Sequence, residues 1–180
     1  MSYNSLLSFG DLIPLKLKCD VKKLFDETEE FVYLKYNPRK DIERYGLSIT
    51  SLDGSLNGID LDSIKEYNKE NNTEYDELSF NKFTKVYHTS SEIQKIVEPF
   101  KNHIGRSHIL SLQEGGYFPP HRDLPVYVEQ QNSLRILVPL KGCNPPDMYF
   151  MYEDKPLHFE HGRAYFLNTN KSHNLFSFKG

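Results

Sequence analysis

A chain of 180 residues with 22 basic and 25 acidic side chains has a net charge of −3. It is long enough for one domain burying roughly two-thirds of its unfolded surface, and too nearly neutral to point to nucleic acid or an anionic membrane as partner. Cys19 and Cys143 are the only cysteines and lack a Cys-x-x-Cys or Cys-x-x-His companion, which argues against a disulfide framework or structural zinc and for a reducing, cytoplasmic setting. No stretch approaches the roughly 18 apolar residues of a membrane span, and the amino-terminal segment lacks the basic, apolar and small-residue order of a signal peptide.

In chain order, Ile13, Leu15, Leu17 and Cys19 alternate with Pro14, Lys16 and Lys18, the pattern of a strand with one buried face. Asp20 then stands as an N-cap before Val21, Leu24, Phe25, Thr28 and Phe31 at helical spacing. Tyr45 to Ser51 reads as β, followed by a Leu-Asp-Gly-Ser turn, and the polar stretch Asn57 to Glu77 reads as a surface excursion. Ser91 to Asn102 carries Ile93, Ile96, Val97 and Phe100 on one helical face, with Pro99 placed to shorten or kink it.

From residue 106 onward the helical pattern stops. The runs Ser107 to Leu112, Leu134 to Leu140, Met148 to Tyr152, Leu157 to Phe159, Arg163 to Asn168 and His173 to Phe178 are separated by turn residues, as in an antiparallel sandwich or barrel. Helices first and strands later predict an α+β fold, mainly β, as a single domain over 1–180, with early helices packed on one sheet. The absence of Trp against 12 Tyr and 12 Phe residues fits an aromatic-lined sheet protein.

The residues that point to chemistry are His121-Arg122-Asp123 and, 52 residues on, His173. In an extended segment residues i and i+2 share a side, so His121 and Asp123 can reach one metal while Arg122 points away. Two imidazoles and one carboxylate leave coordination positions open on iron(II), enough for a bidentate 2-oxo acid and dioxygen. A diacid co-substrate also needs a cation for its distal carboxylate. Arg135 stands in the otherwise apolar Leu134-Arg-Ile-Leu-Val-Pro-Leu, and guanidinium suits bidentate carboxylate recognition; alternation alone leaves open which face of that strand is interior. His158 and His161 read as solvated surface near a turn, and His88, His103 and His108 as structural or exposed.

Together Pro-His121-Arg-Asp123, Leu-Arg135-Ile-Leu-Val-Pro-Leu-Lys-Gly and Gly162-Arg-Ala-Tyr-Phe-Leu-Asn168-Thr-Asn-Lys-Ser-His173-Asn resemble the iron(II)- and 2-oxoglutarate-dependent oxygenases, in the aspartyl/asparaginyl β-hydroxylase-like branch. Two departures stand out. The hydroxylases proper of that branch have glycine where Asp123 stands, so the triad looks closer to prolyl-hydroxylase-like members, and relatives carry a basic residue about ten positions after the distal His, where this chain offers only Lys179. The resemblance spans about 106–178 and implies a double-stranded β-helix (jelly roll). It further implies iron at His121, Asp123 and His173, and Arg135, or alternatively Lys179, on the 5-carboxylate of 2-oxoglutarate. Ser111, Tyr117 and Tyr149 are then expected as hydroxyl donors to the co-substrate, and Arg163, Asn168 and Asn174, with the Pro125 to Gln131 loop, as substrate contacts. The implied activity is hydroxylation of an amino-acid or peptidyl side chain with dioxygen as oxidant. Two alternatives stay open: a non-catalytic jelly-roll module that binds a sugar or peptide, and a cupin-like metalloenzyme without 2-oxoglutarate.

Overall fold

A computed structural model describes residues 3–123 and 134–179; the Pro125 to Gln131 loop lies outside them. The chain runs α1 (Tyr3–Leu7), β1 (Leu12–Lys18), α2 (Val21–Thr28), β2 (Leu34–Lys35), β3 (Arg44–Ser48), β4 (Thr50–Ser51), α3 (Ile64–Asn71), β5 (Lys82–Phe83), α4 (Lys85–Thr89) and α5 (Ser91–Val97). It continues through β6 (His108–Leu112), β7 (Tyr117–His121), β8 (Arg135–Leu137), β9 (Met148–Tyr152), β10 (Lys155–Pro156), β11 (Arg163–Leu167) and β12 (His173–Ser177). The fold is mixed α and β, and its strands pair in antiparallel sheets; among the described residues no sheet closes into a barrel. Two compact units divide it: residues 1–21 with 114–180, and residues 22–113. Among the described residues no helix is long and apolar enough to cross a membrane.

In the first unit, β1 and β8 flank β11 in one sheet, and β10, β9, β12 and β7 form a second. The sheets share one apolar cluster of Phe150, Tyr152, Phe159, Tyr165 and Leu167, with Leu12, Leu137, Leu157 and Leu175 packed against it. Those that lie on strands are alternate residues, as a sheet with one core face requires. The expected β1 alternation holds: Leu15 and Leu17 are half-buried and Lys16 and Lys18 exposed. The expected Leu157 to Phe159 strand does not form; Lys155 and Pro156 pair with β9 instead, while the Phe159 N–H goes to the Asn144 side chain. Gly162 is where the first sheet gathers. Its carbonyl accepts from Cys19 and its N–H donates to Pro139, at φ +77 and so close that a Cβ would lie 2.5 Å from the Cys19 carbonyl oxygen. Only glycine fits there.

In the second unit, β3 pairs with β2 and β6, and Leu24, Leu47, Leu61, Phe80, Val86, Ile93, Ile96 and Ile109 are buried. The stretch read as a surface excursion is anchored: Asp60 and Leu61 are fully buried, Ser48 donates to Asp60, and Leu61 lies where a Cβ on Gly46 would be. Ser63 caps α3 by accepting from the Glu66 N–H, a Ser-x-x-Glu start. Pro99 ends the α-helical run as expected: α5 stops at Val97 and a 3₁₀ turn carries on over Glu98–His103.

A carboxylate staples α2 to the start of α5. Glu27 accepts from the Ser90 and Ser91 hydroxyls, both at 2.6 Å, and from the Glu92 N–H at 3.1 Å, where a helix N-terminus favours negative charge. Burial pushes the Glu27 carboxyl up, but these hydrogen bonds and nearby Lys23 outweigh it and bring it down to about 2. The unfolded chain therefore takes up this proton first, and the stabilisation is present above about pH 4.5 and lost as pH falls toward 2. Glu27→Ala is expected to cost this unit about 2 kcal/mol at neutral pH and to flatten its stability between pH 5 and about 2. Urea unfolding of both proteins across that range checks this, and equal slopes would contradict it.

Candidate metal centre

His121 and His173 meet because β7 and β12 are antiparallel neighbours in register, His173 opposite His121. Their ring centroids lie 4.3 Å apart. The pairing then slips: Leu175 faces Phe118 and Phe176 faces Tyr117, so two steps on β12 match three on β7. The extra residue is a β-bulge at Pro119-Pro120, an arrangement β7 tolerates because it is an edge strand and proline has no N–H to give. The bulge turns His121 onto the core face with Phe118, Leu175 and His173, where strict alternation would set His121 and Phe118 on opposite faces.

Asp123 lies beyond the end of β7, held by its N–H to the Thr169 carbonyl at 2.9 Å. His121, Asp123 and His173 each offer a ligand atom, all within 4.8 Å of one another, and they are the group among the described residues able to hold a metal ion. His121 Nδ1 lies 2.7 Å from the Pro119 carbonyl and His173 Nδ1 2.9 Å from the Lys171 carbonyl. A carbonyl only accepts, so each Nδ1 carries a proton, which leaves Nε2 as the ring nitrogen that a metal could take. His173 is 5 % exposed and its ring stacks on Phe150. Burial pushes its imidazole below the ordinary value, His121 and Arg135 adding to this against the Lys171 hydrogen bond and Asp123, so it stays neutral.

Arg135, opposite Leu167 on β11, shares a face with Leu137, which packs on the core cluster. This settles the orientation its sequence left open. Its Nε donates to Asp123 Oδ2 at 2.8 Å, so a guanidinium stands beside the three ligands.

The other expected residues fall elsewhere. Lys179, past the end of β12, is exposed beside Asp147, six residues or roughly 20 Å of extended chain from His173. Tyr117 and Tyr149 both oppose Phe176 and so lie on the face turned away from His173; the bulge puts Tyr117 there. Asn174 shares that outer face by alternation. Ser111 belongs to the second unit, opposite Tyr45. Arg163 is engaged with Glu160 and the Leu15 carbonyl. Asn168 is buried and braces a turn, donating to Asp11 and accepting from the Asn170 N–H. His158, His161, His88 and His103 are exposed, as expected. Sequence reasoning passed over Phe150, Tyr152 and the Pro119 and Lys171 carbonyls, which act through stacking and backbone acceptors that no motif spells.

Comparison of the chain with models of known families and with curated proteins finds no match.

In the metal-free protein, long-range ¹H–¹⁵N correlation spectra should show both imidazoles protonated on Nδ1, with His173 taking its second proton below the ordinary imidazole value of 6.5. The unfolded chain then gains that proton first, so stability falls as pH drops through this region. An Nε2–H pattern for either ring would contradict the geometry.

Proposed function

We propose that this protein is an iron(II)- and 2-oxoglutarate-dependent oxygenase that hydroxylates an amino-acid or peptidyl side chain. The observation that carries the reading is the donor set: two imidazoles with Nδ1 held by backbone carbonyls, one carboxylate within reach of both, and an arginine beside it. The set fits iron(II), which favours a facial His₂-carboxylate site with open positions. It is poorer in histidine than a cupin-like site. Two antiparallel sheets sharing one core suit the jelly roll that the motifs resemble.

Bound iron would supply the oxidation: one oxygen atom of dioxygen enters a C–H bond, and the other goes to 2-oxoglutarate, which leaves as succinate and carbon dioxide. The chain's residues do the rest. His121 and His173 give Nε2 lone pairs, held in aim by the Pro119 and Lys171 carbonyls. Asp123 gives a carboxylate oxygen. Arg135 takes the distal carboxylate of 2-oxoglutarate, an anion that the planar guanidinium fork suits. Phe118 and Phe150 supply apolar surface beside the imidazoles, which limits water at the reacting atoms. Filling the carboxylate position with Asp123 favours hydroxylation over halogenation.

Anaerobic titration with iron(II) and 2-oxoglutarate should develop the weak visible charge-transfer band of the chelate. Arg135→Ala should need about tenfold to a hundredfold more 2-oxoglutarate, equivalent to about 1.4–2.8 kcal/mol, and Lys179→Ala no more than wild type. A wild-type protein that binds iron yet shows no band loses the oxygenase assignment in favour of a non-catalytic module or a cupin-like metalloenzyme. Asp123→Ala should abolish succinate release, and release at the wild-type rate would remove Asp123 from the centre.

A further inference from the structure

The turn between β11 and β12 touches the metal centre through its backbone twice and a neighbour of His173 once. The Thr169 carbonyl accepts the Asp123 N–H at 2.9 Å, the Lys171 carbonyl holds His173 Nδ1 at 2.9 Å, and the Asn168 carbonyl accepts the Tyr152 hydroxyl at 2.8 Å, Tyr152 being His173's partner on β9. Two of the three ligands are therefore placed by carbonyls of this one turn, those of Thr169 and Lys171. Ordering this polar turn costs about 1–2 kcal/mol per residue in backbone entropy, and its own Lys171 N–H to Asn168 carbonyl bond is long, at 3.4 Å. Something must fix it.

Asp11, just before β1, is that group. Its backbone carbonyl accepts the Asn168 N–H at 2.8 Å, one carboxylate oxygen accepts from Asn168 Nδ2 at 2.7 Å, and the other pairs with Lys171 Nζ at 2.7 Å. Asn168 completes the brace by accepting the Asn170 N–H at 3.2 Å. One residue thus grips both ends of the turn. We propose that Asp11 is a positioning residue of the metal centre, fixing through Asn168 and Lys171 the carbonyls that orient His173 and Asp123. The inference rests on the reading of His121, Asp123 and His173 as metal ligands.

The test uses cobalt(II) as probe on full-length wild type, Asp11→Ala and Lys18→Ala. Lys18 pairs with Glu160 at the other end of the same β1–β11 ladder, so it reports what loosening that ladder does by itself. Asp11→Ala should bind cobalt(II) about tenfold to a hundredfold more weakly with an altered visible ligand-field spectrum, while Lys18→Ala stays within about twofold. In the metal-free protein His173 of Asp11→Ala should pass from the Nδ1–H form to a tautomer mixture, which lost stability alone would not produce. If Asp11→Ala fails to fold, Asp11→Asn, which keeps an acceptor for Asn168 and drops the charge facing Lys171, carries the same comparison. Affinity equal to wild type, a loss no greater than in Lys18→Ala, or an unchanged His173 tautomer overturns the proposal. A wild type that binds no cobalt(II) overturns the metal-centre reading itself, and the proposal with it.

Discussion

The candidate centre depends on one backbone pairing, that of β7 with β12. Antiparallel register sets residue against residue, and here it sets His121 against His173. A slip of one residue would reverse which face each side chain takes. The bulge at Pro119-Pro120 makes the pairing usable: it adds one residue to an edge strand and turns His121 inward, while the chain beyond is still close enough for the Asp123 N–H to reach Thr169. The Pro119 carbonyl left beside the bulge is the one that accepts from the His121 ring.

Around that pairing the electrostatics agree with the geometry. Burial keeps His173 neutral, the state in which imidazole can give its lone pair. Both rings have their tautomer set by a carbonyl two residues earlier in the chain, the outer-sphere arrangement that metal-binding histidines commonly show. Arg135 adds a positive charge where Asp123 brings a negative one, so the carboxylate is paired.

Much of this was legible in the sequence where local pattern decides structure. The alternation of β1, the stop imposed by Pro99 and the strand runs at Met148–Tyr152, Arg163–Leu167 and His173–Ser177 follow from period and turn chemistry. His121, Asp123 and His173 could be named because their residue types restrict the chemistry open to them. What escaped depends on pairing between distant segments. Alternation predicts faces only along an unbroken strand, so the bulge removed Tyr117 from the inner face. Tyr149 follows from a register that no local pattern states, whereas alternation alone sets Asn174 opposite to His173. The burial of Asp60 and Leu61 was hidden in a polar stretch, because Ser48 and Gly46, which receive them, lie on another element. Asp11, 157 residues from Asn168, carries no sequence signal of its bond to the turn.

The central claim is that the two Nε2 atoms and the Asp123 carboxylate converge on one metal ion. A crystal structure of the protein loaded anaerobically with iron(II), read by anomalous scattering at the iron edge, tests it most directly. The account predicts one dominant peak, about 2.0–2.2 Å from Nε2 of His121, Nε2 of His173 and one Asp123 oxygen, with open positions facing Arg135. Iron bound through Nδ1, or held by other residues while this site stays vacant, would contradict it.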